Sequence, residues 1–260
     1  MRPISKSVDQ IGWYAAMPQA INLFATVVLL MGFSLAAHSE SIMVGDIEIN
    51  PQDFSANLDP EQRISKCLAC HGDHAGGDID FGPDVRFGTP ELHGMTEQYI
   101  KGSLNAYQTG TRKHKEMSVI SAMLDVEAVD FMARSFAAFI APPMKSAREL
   151  AALAEQDALF RLGQKIARQG IAQHGVSACI SCHGPLGEGG AAGPRLAGQN
   201  VMYIESQFRA FADGSRQTAQ SAAMQTVVAG LTDDAIKAVA HYYELLAEVS
   251  VTASSATGAH

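Results

Sequence analysis

Four cysteines stand in two pairs, and a histidine follows each pair directly. Residues 67–71 read CLACH, and residues 179–183 read CISCH. Two thiols three residues apart lie on the same side of one helical turn, where they can add to the two vinyl groups of one haem as thioethers. The adjacent histidine can then reach the iron as its axial ligand. We therefore predict two covalently attached haem c groups, one held by Cys67, Cys70 and His71, the other by Cys179, Cys182 and His183.

Three other uses of paired cysteines fit less well. Disulfides are common in exported proteins, but they need no histidine after each pair. Zinc ribbons place their pairs about 15–20 residues apart, whereas more than a hundred residues separate these pairs. A thioredoxin-like redox motif needs a βαβ setting, and no strand pattern surrounds either cluster. Haem attachment is the interpretation that uses both cysteines and the histidine.

The composition limits the class of partner. The chain of 260 residues carries a formal net charge of −8, which disfavours nucleic-acid binding because that needs a basic face. Residues 40–145 hold 9 Lys/Arg against 16 Asp/Glu, and residues 146–260 hold 8 against 10. An acidic surface suits solubility or a basic protein partner.

The N-terminal segment has the pattern of an export signal. Arg2 and Lys6 precede an apolar run at residues 20–33, and small residues follow it up to Ser39. We therefore predict a signal peptide over residues 1–39 and a periplasmic protein. An uncleaved membrane anchor is the alternative, although the run is somewhat short for a span of about 20 residues.

The chain repeats itself, since the two cysteine clusters begin 112 residues apart. The matching positions are Leu92 and Leu196, Tyr99 and Tyr203, Tyr107 and Phe211, Gly110 and Gly214, and Arg112 and Arg216. The repeat predicts a first domain over 40–141 and a second over 148–248. Paired prolines mark the linker 142–147, and residues 249–260 read as a flexible tail.

Both repeats have helical patterns, so the predicted fold class is all-α. The last helix of the second repeat begins at Thr232, a capping residue followed by two aspartates that favour the positive end of the helix dipole. Its predicted apolar stripe consists of Ile236, Val239, Ala240, Tyr243 and Leu246. Residues 124–139 show the same pattern in the first repeat, with Val129, Met132, Phe136 and Phe139.

The ligand opposite each histidine decides between a closed electron-transfer site and an open iron. Met224 lies in an Ala- and Ser-rich stretch, predicted to be a loop, seven residues before Leu231. Met117 lies seven residues before Leu124, the equivalent position. We predict these two methionines as the ligands, with His114 and Met123 as rivals of Met117.

These motifs resemble the tandem dihaem class I cytochromes c, in particular the cytochrome c4 family, over roughly residues 60–247. Residues 193–199 (GPRLAGQ) and the stretch from Met224 through LTDDAIKAVAHYY carry the resemblance besides the two cysteine clusters. The resemblance implies a periplasmic electron carrier, often associated with the inner membrane, that delivers electrons to a terminal oxidase. It also implies a proline carbonyl that accepts a hydrogen bond from each haem histidine. Pro194 fits in the second half, and spacing favours Pro83 over Pro90 in the first.

Three functions follow from this pattern. The leading one is an electron carrier between a membrane donor complex and a terminal oxidase. The alternative is a dihaem subunit of a larger oxidoreductase, such as a flavocytochrome sulfide dehydrogenase or another dehydrogenase complex. A haem enzyme is disfavoured, because both halves have a well-placed methionine and no fifth cysteine exists to supply a thiolate.

Overall fold

A computed structural model of the chain describes residues 41–44, 47–72, 88–218 and 221–248. The predicted signal segment 1–39, the tail 249–260 and Pro83 lie outside the described residues. Helices dominate the described part, which confirms the all-α fold class. Within these ranges, no helix is both long enough and apolar enough to cross a membrane.

The helices fall into two sets along the chain. The first half contains α1 (Pro60–His71), α2 (Glu97–Gln108), α3 (Lys115–Ala122) and α4 (Val126–Ala137). The second half contains α5 (Ala147–Gln156), α6 (Ala158–Gln169), α7 (Ile180–His183), α8 (Val201–Ala212), α9 (Ser221–Ala229) and α10 (Asp233–Glu244). Side-chain N-caps explain where several of these helices begin. Asp59 accepts from the Gln62 N–H in front of Pro60, and Thr232 accepts from the Ala235 N–H, which confirms the predicted cap of α10.

The core of the second half lies between α6, α8 and α10. The predicted stripe of α10 is buried throughout, which confirms it. Gly163 of α6 lies against α10 so closely that a Cβ atom there would stand 2.0 Å from the carbonyl oxygen of Ala238. Only glycine allows the two helix backbones to approach in this way, so the α6–α10 crossing depends on this residue.

A segment whose structure the sequence analysis did not predict packs against the core of the first half. Two antiparallel strands, β1 (Ile42–Val44) and β2 (Ile47–Ile49), pair with Ile42 opposite Ile49. Ile49 and Phe54 are buried in the same core as the apolar side of α4. Lys66 of α1 donates to the carbonyl oxygen of Glu48 at 2.7 Å. Residues 41–44 and 47–54 therefore pack beside α1, the helix that carries the first cysteine pair.

The two halves contact each other at equivalent points of the repeat. Arg112 and Arg216 face one another in an isolated antiparallel bridge, and the N–H of Lys113 donates to the carbonyl oxygen of Ser215 at 2.8 Å. Near the linker, Arg195 donates to the carbonyl oxygen of Pro142 at 3.2 Å. The domain limits at 141 and 148 stay predictions.

Candidate haem sites

The second cysteine pair and its histidine lie on one helical turn. Cys179 precedes α7, and Cys182 and His183 end it. The Nδ1 atom of the buried His183 lies 2.8 Å from the carbonyl oxygen of Pro194. A carbonyl only accepts hydrogen bonds, so Nδ1 carries the proton and Nε2 keeps a free lone pair. Burial lowers the pKa of His183, which keeps the ring neutral and able to bind a metal.

A cavity of about 510 Å³ opens beside this turn. Its wall includes both thiols, the His183 ring and the side chain of Met224. Two thiols, an imidazole and a thioether are the donor set of a covalently attached haem c with histidine and methionine as axial ligands. The residues present therefore fit the group that the motif predicts. Met224 lies on α9 and not in a loop as predicted from the Ala- and Ser-rich composition.

The first cysteine pair lies at the end of the longer helix α1. Nδ1 of the buried His71 lies 3.0 Å from the carbonyl oxygen of Pro90, so the same tautomer argument leaves Nε2 free for a metal. Burial lowers the pKa of His71. Burial also raises the pKa of Cys67 to about 12, and its sulfur lies 4.0 Å from Sδ of Met132. The Cys67 sulfur therefore packs against the core of the first half.

The hydrogen bond of His71 corrects the choice of proline in the first half. Spacing from the haem motif favours Pro83, which lies outside the described residues, but the contact belongs to Pro90. Pro90 stands two residues before the leucine of its Leu-x-Gly sequence, and so does Pro194. The additional residues of the first half lie between His71 and Pro90. Each proline therefore has the same spacing to the Leu-x-Gly sequence of its own half, whereas its spacing to the haem motif differs between the halves.

The predicted ligand Met117 lies on α3, directly before the last helix of the first half, as Met224 lies on α9 before α10. His114, a rival, caps α3, where its Nδ1 accepts from the N–H of Met117 at 3.4 Å. Met123 ends α3, and it packs against the first core as Met117 does. The equivalent placement of α3 and α9 supports Met117, which stays a predicted ligand.

Sequence reasoning missed a polar cluster between the two halves, which we call the arginine–tyrosine cluster: Tyr99, Arg112, Tyr203, Gln207 and Arg216. Arg112 donates to the hydroxyl of Tyr203 at 2.7 Å and to Oε1 of Gln207 at 2.8 Å. Arg216 donates to the same Gln207 atom at 2.8 Å and to the hydroxyl of Tyr99 at 3.1 Å. Each arginine thus reaches the tyrosine of the other half. The repeat matches the two arginines and the two tyrosines as pairs, but it gives no sign that these residues contact each other.

The cluster is strongly positive. Burial alone would raise the pKa of Tyr99, but Arg216 and Arg112 outweigh it and lower that pKa. Burial raises the pKa of Tyr203. The two guanidinium groups therefore create a place between the halves where one negative charge is favoured.

The family model described as "Cytochrome c" matches residues 161–245. The chain is also similar, with 34% identity, to the "Thiosulfate dehydrogenase electron acceptor" of Thiomonas intermedia (strain K12), an alignment that covers 75% of this chain and 84% of that protein. With 30% identity, it is similar to the "Cytochrome c4" of Pseudomonas aeruginosa, over 86% of this chain and 98% of that protein.

The solved structures include a similar fold. The structure of Acidithiobacillus ferrooxidans cytochrome c4 superposes with a TM-score of 0.57 and 29% identity. The superposition covers 70% of this chain and 99% of that chain. The similarity therefore spans both halves, including the first one, which the family model does not match.

Proposed function

Because the chain belongs to the cytochrome c4 family of dihaem class I cytochromes c, we propose that it accepts electrons from a thiosulfate-oxidising dehydrogenase and passes them to a second redox protein. It is an electron carrier with two covalently attached haem c groups, and not an enzyme. A bound haem c supplies one-electron chemistry at its iron.

The observation that carries this proposal is the similarity to the Thiomonas protein, whose name states its role as electron acceptor of thiosulfate dehydrogenase. The proposal refines the dehydrogenase-linked alternative of the sequence analysis. The acceptor of the electrons would be the terminal oxidase that the resemblance implies, and the chain would work in the periplasm.

The side chains around each site have distinct tasks. In the second half, Cys179 and Cys182 would hold the haem, and His183 would ligate the iron through Nε2, because Pro194 fixes its ring through Nδ1. Met224, which lines the same cavity, would be the second protein ligand of this iron. The first half would use Cys67, Cys70, His71 and Met117 in the same way, with Pro90 fixing the His71 ring. Two protein ligands at each iron would leave no open position for a substrate.

The test is a stopped-flow experiment on the haem-loaded protein in its oxidised form. We mix it anaerobically with a bacterial thiosulfate dehydrogenase and thiosulfate, and we record haem absorbance. We expect both haems to become reduced at a rate that saturates with cytochrome concentration. Because the protein is acidic, the rate should fall with added salt if the donor presents a basic face.

Mixtures that lack either the dehydrogenase or thiosulfate are the controls, and ascorbate establishes that both haems can be reduced. Reduction by ascorbate, but not by the dehydrogenase with thiosulfate, would reject the proposed donor. A terminal oxidase preparation, added to the reduced protein, tests the acceptor in the same instrument.

A further inference from the structure

The side chain of Gln199 binds both backbone polar groups of one residue in the other half. Its Oε1 atom accepts from the N–H of Glu91 at 2.8 Å, and its Nε2 group donates to the carbonyl oxygen of Glu91 at 2.9 Å. Oε1 also accepts from the N–H of Asn200 at 3.1 Å, and the side chain is only 2% exposed. Because a backbone N–H only donates, these bonds fix the orientation of the amide. Gln199 therefore pairs with the first half as a neighbouring strand would.

The N–H that Gln199 holds belongs to the same peptide group that fixes His71. The carbonyl oxygen of Pro90 and the N–H of Glu91 are the two ends of this planar group. Its carbonyl oxygen lies 3.0 Å from Nδ1 of His71. His71 is therefore the last member of a chain of two hydrogen bonds that begins at a side chain of the second half.

Hydrogen bonds in such a chain strengthen one another, by about 10–30% per bond. When the N–H of a peptide group donates, its carbonyl oxygen becomes a better acceptor. A stronger hydrogen bond at Nδ1 makes the other ring nitrogen more basic, and Nε2 is the atom left free to bind iron. We propose that Gln199 is a positioning residue for the haem site of the first half, because it holds and polarises the peptide group that orients His71.

The second half lacks an equivalent of this arrangement. There the matching peptide group joins Pro194 to Arg195, and its carbonyl oxygen fixes His183. In the part of the chain that the structure describes, the N–H of Arg195 makes no hydrogen bond. The residue of the first half that matches Gln199 is Met95, whose thioether has no N–H to donate and is only a weak acceptor. The control from the opposite half therefore acts on the first haem site alone.

The test is the Nδ1–H proton of each haem histidine, recorded by NMR on the haem-loaded, chemically reduced protein with ¹⁵N-labelled histidine. Gln199→Met introduces the residue of the matched position and removes both bonds to Glu91. We expect the His71 signal to move upfield and to exchange with solvent about threefold faster, as a weakened hydrogen bond does. The His183 signal should stay in place. Gln169→Met, the same change at an exposed position of the second half, should leave both signals in place.

The reduction potentials give a second readout of the same variant. A less basic His71 stabilises the oxidised iron less, so the potential of the first haem should rise in Gln199→Met. At a fixed potential, its ratio of oxidised to reduced haem should fall about threefold. Gln199→Glu keeps an oxygen that can accept from the Glu91 N–H, so it should restore the His71 signal.

Two results would overturn the proposal. One is a His71 signal in Gln199→Met that equals that of wild type. The other is an equal displacement of both histidine signals, because Gln199 also lines the cavity of the second half, and an effect on both sites would show that it acts on the fold as a whole.

A measurement on the wild-type protein covers the case that Gln199→Met does not fold. The Glu91 amide should exchange with solvent at least about a hundredfold more slowly than in an unfolded peptide, because its partner is buried. An unprotected Glu91 amide would contradict the proposal. Neither measurement includes an electron-donor protein, so neither outcome depends on the thiosulfate dehydrogenase.

Discussion

A Cβ atom on Gly193 would stand 2.9 Å from the ring of His183, so this residue has no room for a side chain. The next residue supplies the carbonyl that fixes the same ring at 2.8 Å. The two residues therefore act together. Gly193 allows the backbone to lie against the His183 ring, and the carbonyl of Pro194 orients that ring.

Gly193→Ala should displace the His183 ring and break its hydrogen bond to Pro194. We expect a weaker iron–histidine bond in the second half and a loss of stability of about 1–3 kcal/mol, as for other overpacked sites. Denaturant unfolding of the haem-loaded protein measures the second effect, and magnetic circular dichroism the first. Leu186→Ala, in the same loop but exposed, is the control. Equal unfolding free energies in the two variants would show that the ring tolerates the added methyl group.

Met224→Ala should leave one coordination position of the iron in the second half without a protein ligand, and so produce a high-spin haem. No other methionine of that half lines the cavity and could replace it. Met224→His should keep the haem low-spin but lower its reduction potential, since a thioether ligand raises the potential. Near-infrared magnetic circular dichroism identifies both ligand pairs. Met202→Ala, about half exposed on α8, should leave the spectrum unchanged.

The first half needs its own ligand test, because His114 and Met123 compete with Met117. Met117→Ala should give one high-spin haem, whereas His114→Ala should keep both haems low-spin, because this histidine caps α3. The same spectrum checks both variants. A high-spin signal from His114→Ala or Met123→Ala, with Met117→Ala unaffected, would move the ligand to that residue.

The local sequence pattern was sufficient to predict some of the structural elements. The apolar stripe and cap of α10 follow from residues within about four turns of each other, so the local pattern alone located them. The strands β1 and β2 have three residues each, which is too few for an alternating pattern to be distinct. Pro90 could be found only by counting from Leu92, because the additional loop residues separate it from His71.

The arginine–tyrosine cluster could not be predicted for a different reason. The repeat matched Arg112 with Arg216, but a match between two copies does not show that the copies touch. Whether equivalent residues meet depends on how two finished domains pack against each other. Here the bridge between the two arginines results from that packing.

Gly163→Ala tests the crossing of α6 and α10. Alanine would favour the helix by about 1 kcal/mol, but its Cβ atom would stand 2.0 Å from the Ala238 carbonyl oxygen. The backbones would have to separate, so we expect the clash to prevail and the unfolding free energy to fall by about 2 kcal/mol net. Lys165→Ala, exposed on α6, should change it by less than about 0.5 kcal/mol. A Gly163→Ala protein more stable than wild type would show that the crossing can relax.

Asp157 and His241 give the stability a dependence on pH in the acid range. Nε2 of His241 lies 2.6 Å from the Asp157 carboxylate, and this hydrogen bond, together with the Phe160 N–H, lowers the pKa of Asp157. A carboxyl group whose pKa is lowered by folding stabilises the protein above its unfolded pKa of about 3.9. This contribution is lost as pH falls through the lower, folded value.

Asp157→Asn keeps an acceptor that can cap α6 but removes the titrating charge. We expect wild type to be more stable than Asp157→Asn at pH about 7, and the difference to shrink as the pH falls below about 4. Urea unfolding at several pH values measures it, with Glu155→Gln on the neighbouring exposed surface as control. If the difference between wild type and Asp157→Asn stays constant into the acid range, the variant acts through the helix cap, and the charge of Asp157 contributes nothing to folding.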